Sequence, residues 1–368
     1  MSDRPQSNHS RVMIMAGGTG GHVFPALAVA EILMANNVDV SWLGTRKGIE
    51  SELIPQRGID LNYLNIEGLR GRGLLALLRA PFKLLSSVLQ ACSVISQFNP
   101  SVVLGMGGFA SGPGAVAAKL KGIPLVIHEQ NSVAGTTNKL SAKLATKIMQ
   151  GFPNTFKQAE WCGNPIRSEI AALHHDSDRL VNRSGPLRVL VLGGSRGALA
   201  INKIIPRALA AIDSQYRPEV LHQVGDKHLE LTQNLYLEQG HDINSSAISI
   251  VPFIDKMDQA YAWADFVICR SGALTVAELT AVGLGAFLIP FPFAIDDHQT
   301  VNGQWLVDSG AAEMLSESNL TAEKLADYIK QIANNRDQCI AMSQCAKTIA
   351  KLGAAERVAE VCLEVANG

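Results

Sequence analysis

Residues 10–33, SRVMIMAGGTGGHVFPALAVAEIL, and residues 187–209, LRVLVLGGSRGALAINKIIPRAL, are two copies of one pattern. In each, a basic residue leads into four or five apolar residues, a Gly-Gly turn and a helical stretch. A short buried strand feeding a helix is the building unit of a parallel α/β sheet. Around the first copy the runs VDVSWLG, SVVLGMGG, PLVIHEQ and ATKIMQG continue the series, with helical patterns near 24–36 and 112–121. The restart at 187 predicts two Rossmann-like, doubly wound α/β lobes, with ligands at the carboxyl ends of strands and a cleft between the lobes as the natural site. The lobes are placed at 9–167 and 168–344, with a C-terminal helix at about 345–368 packing back on the first. The polar stretch HHDSDRLVNRSGP, residues 174–186, reads as linker.

Composition bounds the function. A chain of 368 residues, 47% hydrophobic and 18% charged, buries large cores and suits two domains. Its net charge of −1 argues against a nucleic-acid partner, yet the halves differ. Residues 1–167 carry 16 Lys and Arg against 9 Asp and Glu, and the remainder 16 against 24. A basic first half suits an anionic surface or ligand there. The six cysteines form no C-x-x-C pair and no metal spacing, which predicts buried thiols in a reducing cytoplasm. The N-terminal stretch lacks the apolar core of a signal peptide, and no apolar run is long enough to span a bilayer. The sequence predicts a chain that is soluble or lies on a membrane without crossing it.

The glycine turns narrow the chemistry. GGTGGHVF has no Lys-Ser/Thr after its glycines, which excludes a P-loop. GMGGFA, residues 105–110, fits the degenerate dinucleotide fingerprint, with Glu129 about 20 residues on, and keeps an NAD-dependent oxidoreductase open. Glycine turns after strands at 17–21, 105–108 and 193–197, with the helix start CRSGALTVAE, place free backbone N–H groups and helix dipoles where an anion can sit. One such turn serves strand–helix packing; four in one chain point to ligand binding.

MAGGTGGHVFPALAVA, LGMGGFASGP, HEQN, GNPIR, GGSRGA and CRSGALTVAE occur in this order and together resemble the MurG family. The resemblance runs from about residue 11 to the C-terminus. It implies a GT-B fold and an inverting hexosyltransferase that uses no metal or other cofactor. The implied donor is UDP-N-acetylglucosamine, and the acceptor is lipid I, undecaprenyl-diphosphate-linked N-acetylmuramoyl-pentapeptide; the product is lipid II, for peptidoglycan synthesis. It also implies a peripheral enzyme on the cytoplasmic face of the inner membrane, with other cell-wall synthesis proteins as further partners. Three places depart from the family pattern: Phe109 where Tyr is frequent, Arg196 where Gln is frequent, and PFPFAIDDHQTVNG. A non-hydrolysing UDP-N-acetylglucosamine epimerase shares fold and donor but needs neither acceptor nor membrane surface. A non-enzymatic two-lobed binding protein is the remaining alternative.

Sugar transfer needs a stabilised leaving diphosphate, an oriented sugar and a deprotonated acceptor hydroxyl. The single D-x-D, Asp176 to Asp178, lies in the polar linker and reads as solvated, so the leaving charge falls to helix N-termini and hydroxyls. Ser195 and Gly272 to Thr275, with Ala273 and Leu274 between, are suited to that, and Val276 and Ala277 follow as further substrate-binding positions. By resemblance, Glu278 binds the ribose, the Ile254 backbone reads uracil, Gln299, Asn302 and Asn131 contact the sugar, and Arg167 approaches the diphosphate. By the same resemblance Thr19, Gly20 and Gly21 face the acceptor. His22 is the nearest titratable group, and imidazoles exchange protons near neutral pH, so His22 is the candidate general base. Glu129 is the alternative, although His128, Glu129 and Gln130 also suit a buried network supporting the site.

Residues 74–95, LLALLRAPFKLLSSVLQACSVI, place Leu74, Leu78, Phe82, Leu85 and Leu89 on one helical face and Arg79, Lys83, Ser86 and Gln90 on the other. Alone, this is a core-facing helix. Pro81 predicts a break after a short leucine-rich segment, which with Arg70, Arg72, Arg79 and Lys83 suits an anionic membrane surface at about residues 70–85.

Overall fold

A computed structural model describes residues 10–66, 74–175, 179–181, 183–194 and 197–368, with the backbone alone at 74–79 and 295. The chain divides into two compact units, Met1–Arg167 with Gly353–Gly368, and Ser168–Leu352.

The first unit is built on β1 (Arg11–Ala16), β2 (Asp39–Gly44), β3 (Asp60–Tyr63), β4 (Val102–Gly107), β5 (Leu125–Glu129), β6 (Lys147–Gln150) and β7 (Glu160–Trp161). These form one sheet in the order β3-β2-β1-β4-β5-β6-β7, and every pairing is parallel. Helices α1 (Gly20–Ala35), α2 (Glu50–Gln56), α3 (Leu74–Phe98), α4 (Ser111–Leu120) and α5 (Thr136–Ser141) connect the strands. Buried aliphatic side chains line both sides of the sheet, as a parallel sheet covered by helices requires. Trp42, wholly buried, donates from Nε1 to the Ala16 carbonyl at 2.8 Å and ties the end of β1. β3 and β7, the two edge strands, carry no buried apolar run, and so the sequence showed no signal for them.

The second unit repeats the plan. Its strands are β8 (Arg188–Leu192), β9 (Glu219–Gln223), β10 (Ile248–Val251), β11 (Phe266–Cys269), β12 (Gly285–Leu288) and β13 (Ala312–Met314). They run parallel in the order β10-β9-β8-β11-β12-β13. The helices are α6 (Ser168–Ala171), α7 (Leu199–Ala210), α8 (Leu229–Glu238), α9 (Met257–Trp263), α10 (Ala273–Val282), α11 (His298–Asp308), α12 (Ala322–Asn334) and α13 (Arg336–Thr348). The repeated stretches thus give β1–α1 and β8–α7. Both strands sit where the strand order reverses, so each Gly-Gly turn lies at a topological switch point.

The last helix, α14 (Ala354–Asn367), packs on α1, with Val358, Ala359, Val361 and Cys362 in the first unit's core. The return to that unit starts at Gly353; residues 345–348 still belong to α13, whose Met342 and Ala346 are buried in the second unit. Four of the six cysteines are buried and all six are free thiols.

Two expectations about α3 change. Pro81 does not split it: Leu74–Phe98 is one helix. Proline removes one N–H from the helix ladder, and Pro81 is exposed, where water can satisfy the unpaired carbonyl. The core face of α3 is formed by Ser87, Val88, Ala91 and Ile95. Phe82, Leu85 and Leu89 point outward, with exposures of 77%, 59% and 62%. Leu74, Leu78 and Arg79 lie where only the backbone is described, and Arg70 and Arg72 lie outside the described residues.

Candidate active site

In the first unit, β1 ends in the GGTGG turn and α1 begins at Gly20, with extended Thr19 as its N-cap. The Thr19 carbonyl accepts from the His22 and Val23 amides, and among the described residues the Gly20 and Gly21 amides of the first turn are unclaimed donors. Thr19 and Gly21 are exposed, and Gly20 and His22 are half-buried. The turn rests on a group that no motif announced. Glu50, wholly buried, accepts from the Gly18 amide at 2.9 Å and from the Thr45 amide and hydroxyl at 2.9 and 2.8 Å.

The GMGG turn packs against this loop instead of cradling a ligand. A Cβ on Gly108 would come 2.4 Å from the Gly17 carbonyl oxygen, and one on Gly107 would come 2.8 Å from His22 Nδ1. Both glycines also adopt positive φ, +105° and +90°, so no other residue fits easily. A register shift between Met15 and Ala16 lets β4 turn over β1 here. The dinucleotide reading of this turn is set aside, since its glycines serve loop-on-loop packing.

His22 Nδ1 lies 2.8 Å from Gln130 Oε1. Gln130 Nε2 lies 3.1 Å from His128 Nδ1 and 2.9 Å from the His128 carbonyl. His128 Nε2 lies 2.9 Å from the Gly163 carbonyl. Burial holds the His128 imidazole down at about 4, against the opposing effects of the Gly163 carbonyl and the Glu129 charge. His128 is therefore neutral around pH 7.

Glu129 is not placed as a base. It is 1% exposed, and both its oxygens are taken. Oε1 accepts from the Asn131 amide and side chain at 2.9 and 3.2 Å, and Oε2 from the Gly135 amide and Asn138 Nδ2 at 3.0 and 2.9 Å. The carboxylate is the hub that folds residues 131–138, and Asn131 is held by it half-buried. Arg167 stacks over the Phe24 ring at 5.7 Å, within the first unit.

In the second unit, α10 starts after Gly272, whose carbonyl accepts from Val276. Leu274, Thr275 and Ala277 are half-buried at its opening, while Ala273 and Val276 are buried. Ser271, just before the helix, is wholly buried and its hydroxyl has no partner among the described residues. Glu278 is nearly buried and accepts from the Tyr261 hydroxyl at 2.9 Å, a partner not anticipated from sequence. Ile254 follows β10 in a loop, and its amide and carbonyl enter none of the backbone hydrogen bonds among the described residues. Gln299 accepts from the Phe291 amide at 2.9 Å. Asn302 is wholly buried and donates to the Ser271 carbonyl at 3.3 Å, so it braces the start of α10. Arg270, also not singled out, donates to the Ile289 and Pro290 carbonyls at 3.0 Å each and pairs with Glu317. Ser195, Arg196, Asp176 and Asp178 lie outside the described residues. Among the described residues no three His, Cys, Asp or Glu side chains gather to hold a metal, and no helix is long and apolar enough to cross a membrane.

Residues 12–150 match the glycosyltransferase family 28 N-terminal domain, and residues 188–358 match the family 28 C-terminal domain. A relative from Nitrosococcus oceani, named UDP-N-acetylglucosamine--N-acetylmuramyl-(pentapeptide) pyrophosphoryl-undecaprenol N-acetylglucosamine transferase, is 51% identical over 97% of this chain and 99% of its own length. A relative of the same name from Shewanella denitrificans is 49% identical over 97% of each. The crystal structure of Acinetobacter baumannii MurG superposes with a TM-score of 0.82 at 38% identity, covering 96% of this chain and 99% of its own. The glycosyltransferase of kitacinnamycin, at 13% identity and a TM-score of 0.69, shares the fold alone, covering 97% and 99%. The fold is GT-B, and on identity across nearly its whole length the chain belongs to the MurG family of glycosyltransferases.

Proposed function

We propose that this chain transfers N-acetylglucosamine from UDP-N-acetylglucosamine to lipid I with inversion, forming lipid II. The second unit takes the donor. Its α10 N-terminus offers amide donors and a positive dipole end to the leaving diphosphate, and Glu278, oriented by Tyr261, accepts from the ribose hydroxyls. The loop at Ile254 presents an amide and a carbonyl of matching polarity to uracil. The first unit takes the acceptor, its diphosphate at the Gly20 and Gly21 amides.

The observation that carries the reading within the first unit is His22, half-buried at the opening of α1 and, among the described residues, tethered on one ring nitrogen. In the transfer the acceptor O–H bond breaks and its proton passes to His22. The oxygen attacks the anomeric carbon from the face opposite the diphosphate, and the C–O bond to UDP breaks with its electron pair. Glu129, with both oxygens engaged, supports the loop behind this site.

The lipid acceptor calls for a membrane surface, and we place it on α3, α4 and α5. Phe82, Leu85 and Leu89 on α3, Val116 and Leu120 on α4 and Leu140 on α5 are all exposed, and α4 packs against both neighbours. Exposed Lys83, Lys119, Lys121, Lys139 and Lys143 lie on or at the ends of the same helices. Exposed apolar side chains among lysines suit the anionic inner leaflet of the cytoplasmic membrane, and a UDP-sugar epimerase would have no use for them. Labelled UDP-N-acetylglucosamine incubated with a water-soluble lipid I analogue tests the whole reading. Label should appear in a disaccharide product; epimerised donor with no acceptor product would overturn it.

A further inference from the structure

The Gly163 carbonyl can only accept a hydrogen bond, so His128 Nε2, 2.9 Å away, carries a proton. His128 is wholly buried and neutral, so its Nδ1 is a bare lone pair. One terminal atom of the Gln130 amide faces that lone pair at 3.1 Å and the His128 carbonyl at 2.9 Å. Two acceptors meet it, so it is the NH2 group. The amide cannot be reversed without setting oxygen against both. The other end, facing His22 Nδ1 at 2.8 Å, is therefore the carbonyl oxygen and can only accept. His22 must donate from Nδ1. Gln130 is 1% exposed, so water does not compete for these contacts. The backbone of Gly107 lies against the His22 ring where a Cβ would collide, which confines the ring further.

We propose that Gln130 and His128 are positioning residues: through the Gly163 carbonyl they lock His22 in the tautomer protonated at Nδ1, so that Nε2 presents its lone pair to the acceptor hydroxyl. This rests on the reading of His22 as the base. When the hydroxyl proton moves to Nε2 the ring becomes an imidazolium, and the Gln130 carbonyl, already accepting from Nδ1, stabilises the new charge. Nothing in the relay needs to reorganise during transfer.

Long-range ¹H–¹⁵N correlation spectra of the histidine-labelled full chain, without substrate, read the tautomer directly. The His22 spectrum should show a protonated Nδ1 and a bare Nε2; a protonated Nε2 in the unaltered protein overturns the proposal before any variant is made. Gln130→Met keeps the side-chain length but removes both hydrogen-bonding ends. It should shift His22 toward the Nε2-protonated form and lower kcat by roughly 10²–10⁴-fold, as a lost or wrongly presented base does, with UDP affinity unchanged. Unchanged turnover with a shifted tautomer overturns the positioning role. Turnover also unchanged in His22→Gln would trace that failure to the base assignment itself. Should Gln130→Met fail to fold, Gln130→Glu retains an acceptor toward His22, and its His22 signal should stay protonated at Nδ1; loss of that form counts against the relay.

Discussion

The carboxylates of the two units show how one residue type takes different roles from its surroundings. Glu129 has every strong lone pair engaged by its own loop, Glu50 holds the amide of Gly18 from below, and Glu278 accepts from the Tyr261 hydroxyl. Glu278→Ala should weaken UDP binding by about 1–3 kcal/mol, the range for charge-assisted hydrogen bonds, with the melting profile of the second unit retained. Calorimetry with UDP checks this, and unchanged affinity would remove the ribose role. Tyr261→Phe should move the same measurement in the same direction by less, because it loosens Glu278 without deleting it. Glu129→Gln should behave differently from a lost base. An amide cannot accept from the four donors that converge on Glu129, so protease sensitivity within residues 131–138 should rise together with any loss of turnover.

At the level of elements, α3 carries two apolar faces with opposite destinations. Val88, Ala91 and Ile95 go to the core, and Phe82, Leu85 and Leu89 to the outside. Phe82→Glu with Leu85→Glu should therefore leave stability within about 0.5 kcal/mol, as for other exposed positions. The same pair should abolish most sedimentation with vesicles of anionic phospholipid while sparing transfer to a soluble acceptor. Unaltered vesicle binding would rule out this face as the membrane surface. Ala91→Glu, by contrast, puts a charge into the core and should unfold the first unit.

Across the whole molecule, burial keeps His128 of the first unit and His222 of the second neutral. Burial holds His128 at about 4 and His222 at about 3, both below the ordinary imidazole value. In the unfolded chain these groups protonate near pH 6.5, so the unfolded state binds more protons below that value. Their contribution is complete above pH 6.5 and is lost as pH falls toward 4 in the first unit and toward 3 in the second. The full loss is on the order of 3 kcal/mol for His128 and about 5 kcal/mol for His222. Urea midpoints measured from pH 7 to 4.5 should fall for both units, and His222→Gln should flatten the fall for the second unit alone. Helix α14 adds a second dependence at this scale. Its apolar face completes the first unit's core, and Arg357 on it pairs with Glu160 of β7. Deleting residues 353–368 should unfold the first unit, whereas Arg357→Ala, which removes partly exposed pairs with Glu160, Glu360 and Glu364, should cost at most about 1 kcal/mol.

Two kinds of information built this protein. Strand–turn–helix order is local: an apolar run, a Gly-Gly turn and a helical period lie within about two dozen residues, so β1–α1 and β8–α7, and with them the doubly wound units, were legible in the chain itself. The ordered motifs likewise carried the family and the candidate site positions. What those side chains face is non-local. Gln130 meets His22 across 108 positions of sequence, and only the packing of β1 beside β4 and β4 beside β5 brings them together. That packing also closed Glu129 into its own loop, seated Gly107 against an imidazole and turned the Phe82 face of α3 outward, while packing within the second unit put Asn302 inside. Periodicity states which residues share a face. Whether that face meets a core, a ligand or solvent depends on what lies opposite, and tertiary structure alone supplies the neighbour.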